Sequence, residues 1–248
     1  MIVKNLSVLK ILLIGSTLGL TLISCGEVGE ISSNSSSAAT ETPSSNPNGS
    51  SSSSVATETP SSSAGGNNTN NYKTVNIGNQ TWMAENLNYN ASGSKCYDNK
   101  PENCQKYGRL YNWATAMALP SNCNSSECTS QIQPKHRGIC LSGWHLPNDA
   151  EWTTLTSFVG SDAGDKLKAR GWNNFDYATD DYGFSALPGG FGFSDGSFKD
   201  IGNYGYWWSA TERNSDYAYD RDMYYVYSSV HKNDIIKSRL FSVRCVKD

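Results

Sequence analysis

Positive charge is scarce in this chain. Lys and Arg number 20 against 23 Asp and Glu, for a net charge of −3. That excludes a binder driven by nucleic-acid phosphates, which needs a basic surplus. Histidine is scarcer still: only His136, His145 and His231 occur, at scattered positions. Long apolar runs are limited to one near the start, which gives no basis for a polytopic membrane protein. No EF-hand calcium spacing is present. What the chain does have is aromatic, with seven Trp and fourteen Tyr and almost none of it in the first 71 residues.

The first segment reads as an export signal. Lys4 and Lys10 supply a positive start, and Ile11 to Ile23 is apolar apart from Gly, Ser and Thr. At about 13 residues this run is short for a bilayer span and right for a signal core. It ends in Leu22-Ile23-Ser24-Cys25-Gly26, which resembles the bacterial lipobox. The resemblance implies a signal peptide over 1–24, cleavage before Cys25 and acylation of its thiol. Each buried acyl methylene then contributes about 0.8 kcal/mol of membrane affinity. The competing reading is an ordinary secretory signal with an incidental cysteine. Gly26 stands where an Asp would retain the protein at the inner membrane, so the resemblance implies outer-membrane sorting. The expected location is the cell envelope, with the membrane as partner through the lipid anchor. Exported cysteines also argue against a cytoplasmic enzyme.

Residues 25–71 follow as a Ser/Thr/Pro/Asn-rich linker in which Ala39-Thr-Glu-Thr-Pro43-Ser-Ser recurs as Ala56-Thr-Glu-Thr-Pro60-Ser-Ser. Such a segment buries too little apolar surface to offset its ordering entropy. As a coil it spans roughly 35 Å. The globular part is therefore 72–248.

With Cys25 acylated, Cys96, Cys104, Cys123, Cys128, Cys140 and Cys245 remain. Six cysteines allow fifteen connectivities. Spacing favours local Cys96–Cys104 and Cys123–Cys128 loops in polar, turn-rich stretches, which leaves Cys140 to pair with Cys245. A redox or metal role for the Cys123/Cys128 pair is the alternative, but no histidine pattern accompanies it.

Tyr72 to Met83 alternates around Gly78-Asn79 and predicts a β-hairpin. Tyr107 onward starts extended and turns helical near Trp113, until Pro120 stops it. Asn148 or Asp149 caps a helix whose Trp152, Leu155 and Val159 form one buried stripe. Long Gly- and aromatic-rich loops are expected next, then strands over 218–227 and 238–246. The fold class is α+β, with sheet strands drawn from both ends of the domain.

Several strings coincide: Ile77-Gly-Asn-Gln-Thr-Trp82 with Glu85-Asn86-Leu87, Gly108-Arg-Leu-Tyr-Asn-Trp113, and Gly143-Trp-His-Leu-Pro147 with Glu151-Trp152. Phe184-Ser-Ala-Leu-Pro-Gly-Gly190, Gly205-Tyr-Trp-Trp-Ser-Ala-Thr-Glu212 and Ser242-Val-Arg-Cys245-Val complete them. Together they resemble the Fibrobacter succinogenes major paralogous domain, over essentially the whole of 72–248. More distantly, Trp144-His-Leu-Pro with Glu151-Trp152, the Trp-Ser-Ala-Thr-Glu block and the terminal strand are similar to the formylglycine-generating-enzyme branch of C-type-lectin-like folds. That implies a small twisted antiparallel sheet, two helices, long ligand-carrying loops and a terminal strand beside the first, stapled by disulfides.

No catalysis is expected. The late cysteines that the enzyme branch uses are missing, and no Ser-His-Asp signature is read. His145 sits in a packing motif and reads as a satisfied core histidine. Two binding sets stand out. Trp172, Tyr177, Tyr204 and Tyr206 are candidates to stack on sugar rings, whereas Trp207 and Trp208 read as core. Asp176, Asp180, Asp181 and Asp195, with nearby Asn, are candidate calcium ligands. The expected function is a non-catalytic binding lipoprotein recognising polysaccharide. The alternative is a structural or protein-interaction component of the envelope.

Overall fold

The computed structural model describes residues 71–173 and 177–248, all within the compact unit Ser62–Asp248. The leader, Cys25 and the linker up to residue 70 lie outside the described residues, as does Asp176. Among the described residues no helix is long and apolar enough to cross a membrane.

The opening hairpin forms where the sequence predicts it. β1 (Thr74–Ile77) pairs antiparallel with β2 (Gln80–Met83), with Ile77 opposite Gln80. Gly78 turns the chain at φ +60, and a Cβ there would meet the Phe158 ring at 2.9 Å, so the turn requires glycine. Then come α1 (Pro101–Tyr107), α2 (Trp113–Ala116), β3 (Trp144–His145), α3 (Asp149–Val159) and α4 (Ala163–Leu167). The short strands β4 (Phe191–Gly192) and β5 (Phe198–Lys199) form a ribbon. β6 (Tyr204–Glu212), β7 (Tyr217–Tyr224) and β8 (His231–Ile236) form an antiparallel meander. β9 (Val246–Lys247) inserts between β2 and β3, so the first sheet runs β1-β2-β9-β3. The class is α+β, with small antiparallel sheets and three disulfides.

Three elements differ from expectation. The Cys96 loop contains α1, because Pro101 at the first helical turn presets φ and gives up no needed donor. The stretch expected to be loop is β6, nine residues long. Its adjacent Trp207 and Trp208 point to opposite faces, and each is fully buried in a different core cluster. A strand buried on both faces shows no polar alternation. β8 is a half-exposed edge strand of mostly polar residues, which carry little strand signal.

The terminal segment stitches the parts together. Leu240 bridges Gly192, Phe241 bridges Tyr111, Ser242 bridges Trp207, and Val246 pairs with both Trp82 and His145. It therefore contributes single bridges to several neighbours, not the one continuous strand expected over 238–246. The disulfides join Cys96–Cys104, Cys123–Cys128 and Cys140–Cys245, the pairing favoured by spacing. The last has a sequence separation of 105, worth about 4.7 kcal/mol in chain-entropy terms.

Beside Cys245 lies Arg244, fully buried. Its Nε and Nη2 donate to Asn86 Oδ1 at 3.2 and 2.8 Å, and Nη2 also donates to the Ser185 carbonyl at 3.2 Å. Nη1 donates to the Phe184 carbonyl, and the guanidinium lies 4.3 Å from the Phe184 ring centre. Burial pushes its pKa down to about 9, opposed by the charges of Asp180 and Glu85; at neutral pH it remains a cation. Asn86 is held in turn by donating to the Tyr107 carbonyl at 2.9 Å and by accepting from Trp207 Nε1 at 2.8 Å.

A second polar knot secures the Cys123–Cys128 loop. Buried Lys237 donates to Glu212, to the Ser126 carbonyl at 3.1 Å and to the Ser215 carbonyl at 2.9 Å. Glu212 also accepts from the Cys128 amide at 3.0 Å. Burial alone would raise its pKa, but the bonds from Lys237, Thr129 and Cys128 outweigh that and hold it below the usual range.

α3 begins at a capping box in which Asn148 accepts from the Glu151 amide and Glu151 accepts from the Asn148 amide. His145, 1% exposed, links this cap to the chain end. Its Nε2 lies 2.7 Å from Glu151 Oε1 and its Nδ1 2.7 Å from Asp248 Oδ1. Burial lowers the imidazole pKa, but the two carboxylates outweigh it and the net shift is upward. The folded state thus favours the proton. Its contribution is complete below pH of about 6.5 and is lost as pH rises through the folded value. Thermal melts are expected to fall in midpoint as pH rises from about 6.5, with a shallower slope for His145→Gln. An unchanged slope in that variant would contradict this assignment.

Candidate functional site

The meander places Tyr204, Tyr206 and Trp208 of β6 opposite Tyr224, Asp222 and Asp220 of β7. His231 and Asn233 of β8 face Asp222 and Asp220 in turn. Directly paired residues share a face, so one face collects these aromatic and acidic groups. The other face packs Trp207 and Met223 into the Trp82–Trp152 cluster.

The aromatic groups form a continuous ladder from core to surface. Trp208 lies 4.6 Å from Phe241, Phe241 4.8 Å from Tyr206, Tyr206 5.5 Å from Tyr204, and Tyr204 4.0 Å from Tyr224. The Tyr204 and Tyr224 rings are 9° from parallel. Trp208 and Phe241 are buried, Tyr206, Tyr204 and Tyr224 are half-buried, and Tyr227, edge-on to Tyr224 at 5.2 Å, is 53% exposed.

Carboxylates set the field around the ladder. Asp222 accepts from His231 Nδ1 at 2.9 Å and from Asn233 Nδ2 at 2.6 Å. Burial first, and then the charges of Asp222 and Asp200, push the Tyr206 phenol far above its ordinary range. Burial and the same two charges raise Tyr204, against a hydrogen bond from Tyr224. Both hydroxyls stay protonated, and Tyr204 accepts from Tyr224. Asp220 is buried, and among the described residues its Oδ1 has no hydrogen-bond partner. Burial, then the Asp222 charge, push its carboxyl up to about 8, against the opposing charge of Arg221.

The structure brings together only two of the four aromatic candidates, Tyr204 and Tyr206, and sets them on a strand. Trp172 is interior at 3% exposure, with Nε1 donating to the Ala186 carbonyl at 3.0 Å; its apolar body is needed in the Trp82–Trp152 cluster. Tyr177 is 69% exposed. The aspartate candidates separate. Asp180 accepts from the Ser185 amide and hydroxyl, both at 2.7 Å. Asp195 is bound the same way by Ser197, which holds its carboxyl below the usual range. Asp181 is exposed. Among the described residues, no three His, Cys, Asp or Glu converge to hold a metal ion.

Sequence reasoning missed Asp220, Asp222, His231 and Asn233 as neighbours of the tyrosines; their alternation along β7 and β8 was the available signal. It also overlooked Gly192-Phe-Ser194-Asp-Gly196, which has nucleophile-elbow spacing. That motif needs a strand-to-helix turn. Here it bridges β4 and β5, closed by Phe193 N to Ser197 O at 2.8 Å, so the elbow context is missing.

A separate cleft of about 710 Å³ lies between β1 and the end of α1, lined by Tyr72, Lys73, Glu85, Cys104, Lys106 and Ser185 among others.

Because the folded state favours protonated Asp220, its contribution is complete below the ordinary carboxyl range and is lost as pH rises to about 8. Asp220→Asn removes that loss. It is expected to melt several degrees higher than the parent at pH 9, and to lose this advantage at pH 4. A destabilisation at pH 9 would refute the assignment.

No curated protein and no solved structure matches the chain. The profile of the family described as Fibrobacter succinogenes major domain matches residues 75–247, from β1 to β9. All of the hairpin but Thr74, the Gly143–Trp152 cap, the Trp207–Trp208 strand and the Arg244–Cys245 clamp are inside that span, and the chain belongs to this family.

Proposed function

We propose that this protein is a non-catalytic binding lipoprotein of the cell envelope. In this reading it is acylated at Cys25, sorted to the outer membrane and held off the membrane by its Ser/Thr-rich linker. Its domain recognises polysaccharide through the tyrosine face of the meander. The observation that carries the reading is the stacked Tyr206–Tyr204–Tyr224 ladder reaching the surface beside Asp222, His231 and Asn233. Flat aromatic faces suit the C–H faces of sugar rings, and the phenol, amide and carboxylate edges suit their hydroxyls. The Asp200 and Asp222 charges that raise the tyrosine pKa values disfavour anionic sugars, so the preferred ligand is a neutral glycan.

The fold is read as C-type-lectin-like. In support, the terminal strand β9 lies beside the first hairpin, and the long disulfide ties it to the domain middle. The second reading, a protein-interaction component of the envelope, draws on the 710 Å³ cleft, walled by the outer edge of β1.

The test is glycan-array and insoluble-cellulose binding by the full chain. Saturable binding to a neutral polysaccharide is expected, weakened at least tenfold, about 1.4 kcal/mol, by Tyr204→Ala or Tyr224→Ala. No sugar binding, with a stoichiometric envelope protein co-purifying, would replace this reading with the second.

A further inference from the structure

Two of the three disulfides are sealed. Cys123, Cys128, Cys140 and Cys245 are at most 2% exposed. The third differs: Cys96 is half-exposed and Cys104 lines the 710 Å³ cleft. It also has a cation against it. Arg109 Nη1 lies 3.6 Å from Cys96 Sγ and 3.5 Å from Cys104 Sγ. The guanidinium is fixed there, because Nε donates to Ser94 Oγ at 2.8 Å and that hydroxyl donates to the Ala91 carbonyl at 2.7 Å. Among the described residues, the Arg109 side chain hydrogen-bonds only Ser94 and the two sulfurs.

A guanidinium gains little from a neutral disulfide and much more from a thiolate, where the hydrogen bond is charge-assisted. A cation beside a cysteine lowers the thiol pKa, and a lower leaving-group pKa speeds exchange and favours the reduced form. Opening the bridge would not release the surrounding chain. Tyr97 is buried with Leu110 and Leu240, Lys95 bridges Leu110, and Asn103 donates to the Tyr97 carbonyl at 3.0 Å.

We infer that Cys96–Cys104 is a thiol–disulfide exchange site whose substrate is a dithiol, with Arg109 stabilising the thiolate that leaves. One thiolate of the dithiol attacks the more exposed Cys96 Sγ. The S–S bond breaks, and Cys104 departs as a thiolate beside Arg109. The second thiol of the dithiol then attacks its own sulfur in the mixed disulfide, closing a new disulfide and releasing Cys96. The protein disulfide gains two electrons and two protons, both supplied by the dithiol, which is oxidised.

The test equilibrates the full chain in dithiothreitol redox buffers, traps thiols by alkylation and maps them by peptide mass. Cys96 and Cys104 are expected to open first, at a dithiol-to-disulfide ratio at least tenfold lower than either other pair, about 30 mV. Arg109→Met is expected to raise that ratio about tenfold, toward the other pairs. Brief exposure to glutathione should place the adduct on Cys96. Simultaneous opening of the three pairs, opening of Cys96–Cys104 last, or an adduct on Cys104 would overturn the inference. So would an unchanged midpoint in folded Arg109→Met. Should that variant not fold, the order of opening and the adduct position in the parent chain decide the matter alone.

Discussion

At the centre of the domain a guanidinium with no exposed surface is contacted, among the described residues, by no carboxylate. Arg244 spends its donors on the Asn86 amide oxygen and on the carbonyls of Phe184 and Ser185, under the face of the Phe184 ring. A buried charge is tolerated only where such partners replace water. Each bond is charge-assisted, so each contributes more than a neutral one. The cation thereby fixes three stretches at once: the terminal segment before β9, the chain after β2, and the turn that carries Phe184. Cys245, the next residue, adds a covalent tie to Cys140.

That clamp is what the meander rests on. Trp207 donates to the same Asn86 oxygen as Arg244, and Trp208 Nε1 donates to the Tyr111 carbonyl at 2.7 Å. β6 is therefore gripped on both faces before it delivers Tyr204 and Tyr206 to the surface. In the proposed reading, rings held this way would lose little freedom on stacking against a ligand, which is how preorganisation raises affinity. The cost appears at Asp220, a buried carboxyl with an orphaned oxygen.

Local chemistry was legible in the sequence. Gly78-Asn79 marked the hairpin, Asn148-Asp149 marked the cap without deciding between the two, and spacing separated the two short disulfides from the long one. His145 read correctly as a satisfied core residue. What could not be read was long-range pairing. Asn86 and Arg244 stand 158 residues apart, and nothing local to either string announces the other. β6 was hidden for a related reason: burial on both faces erased the alternation that identifies a strand. Trp172 was misjudged as a surface residue because Gly- and Asn-rich surroundings look solvated, whereas its ring fills the core beside Ala186.

The clamp is tested most directly by a double-mutant cycle on Asn86→Ala and Arg244→Met, read by urea unfolding of the full chain. The two positions are expected to couple by about 1.5 kcal/mol or more, each single change being strongly destabilising and the pair less so than their sum. Additivity within about 0.5 kcal/mol would show that the amide does not hold the buried charge, and the architecture described here would need another keystone.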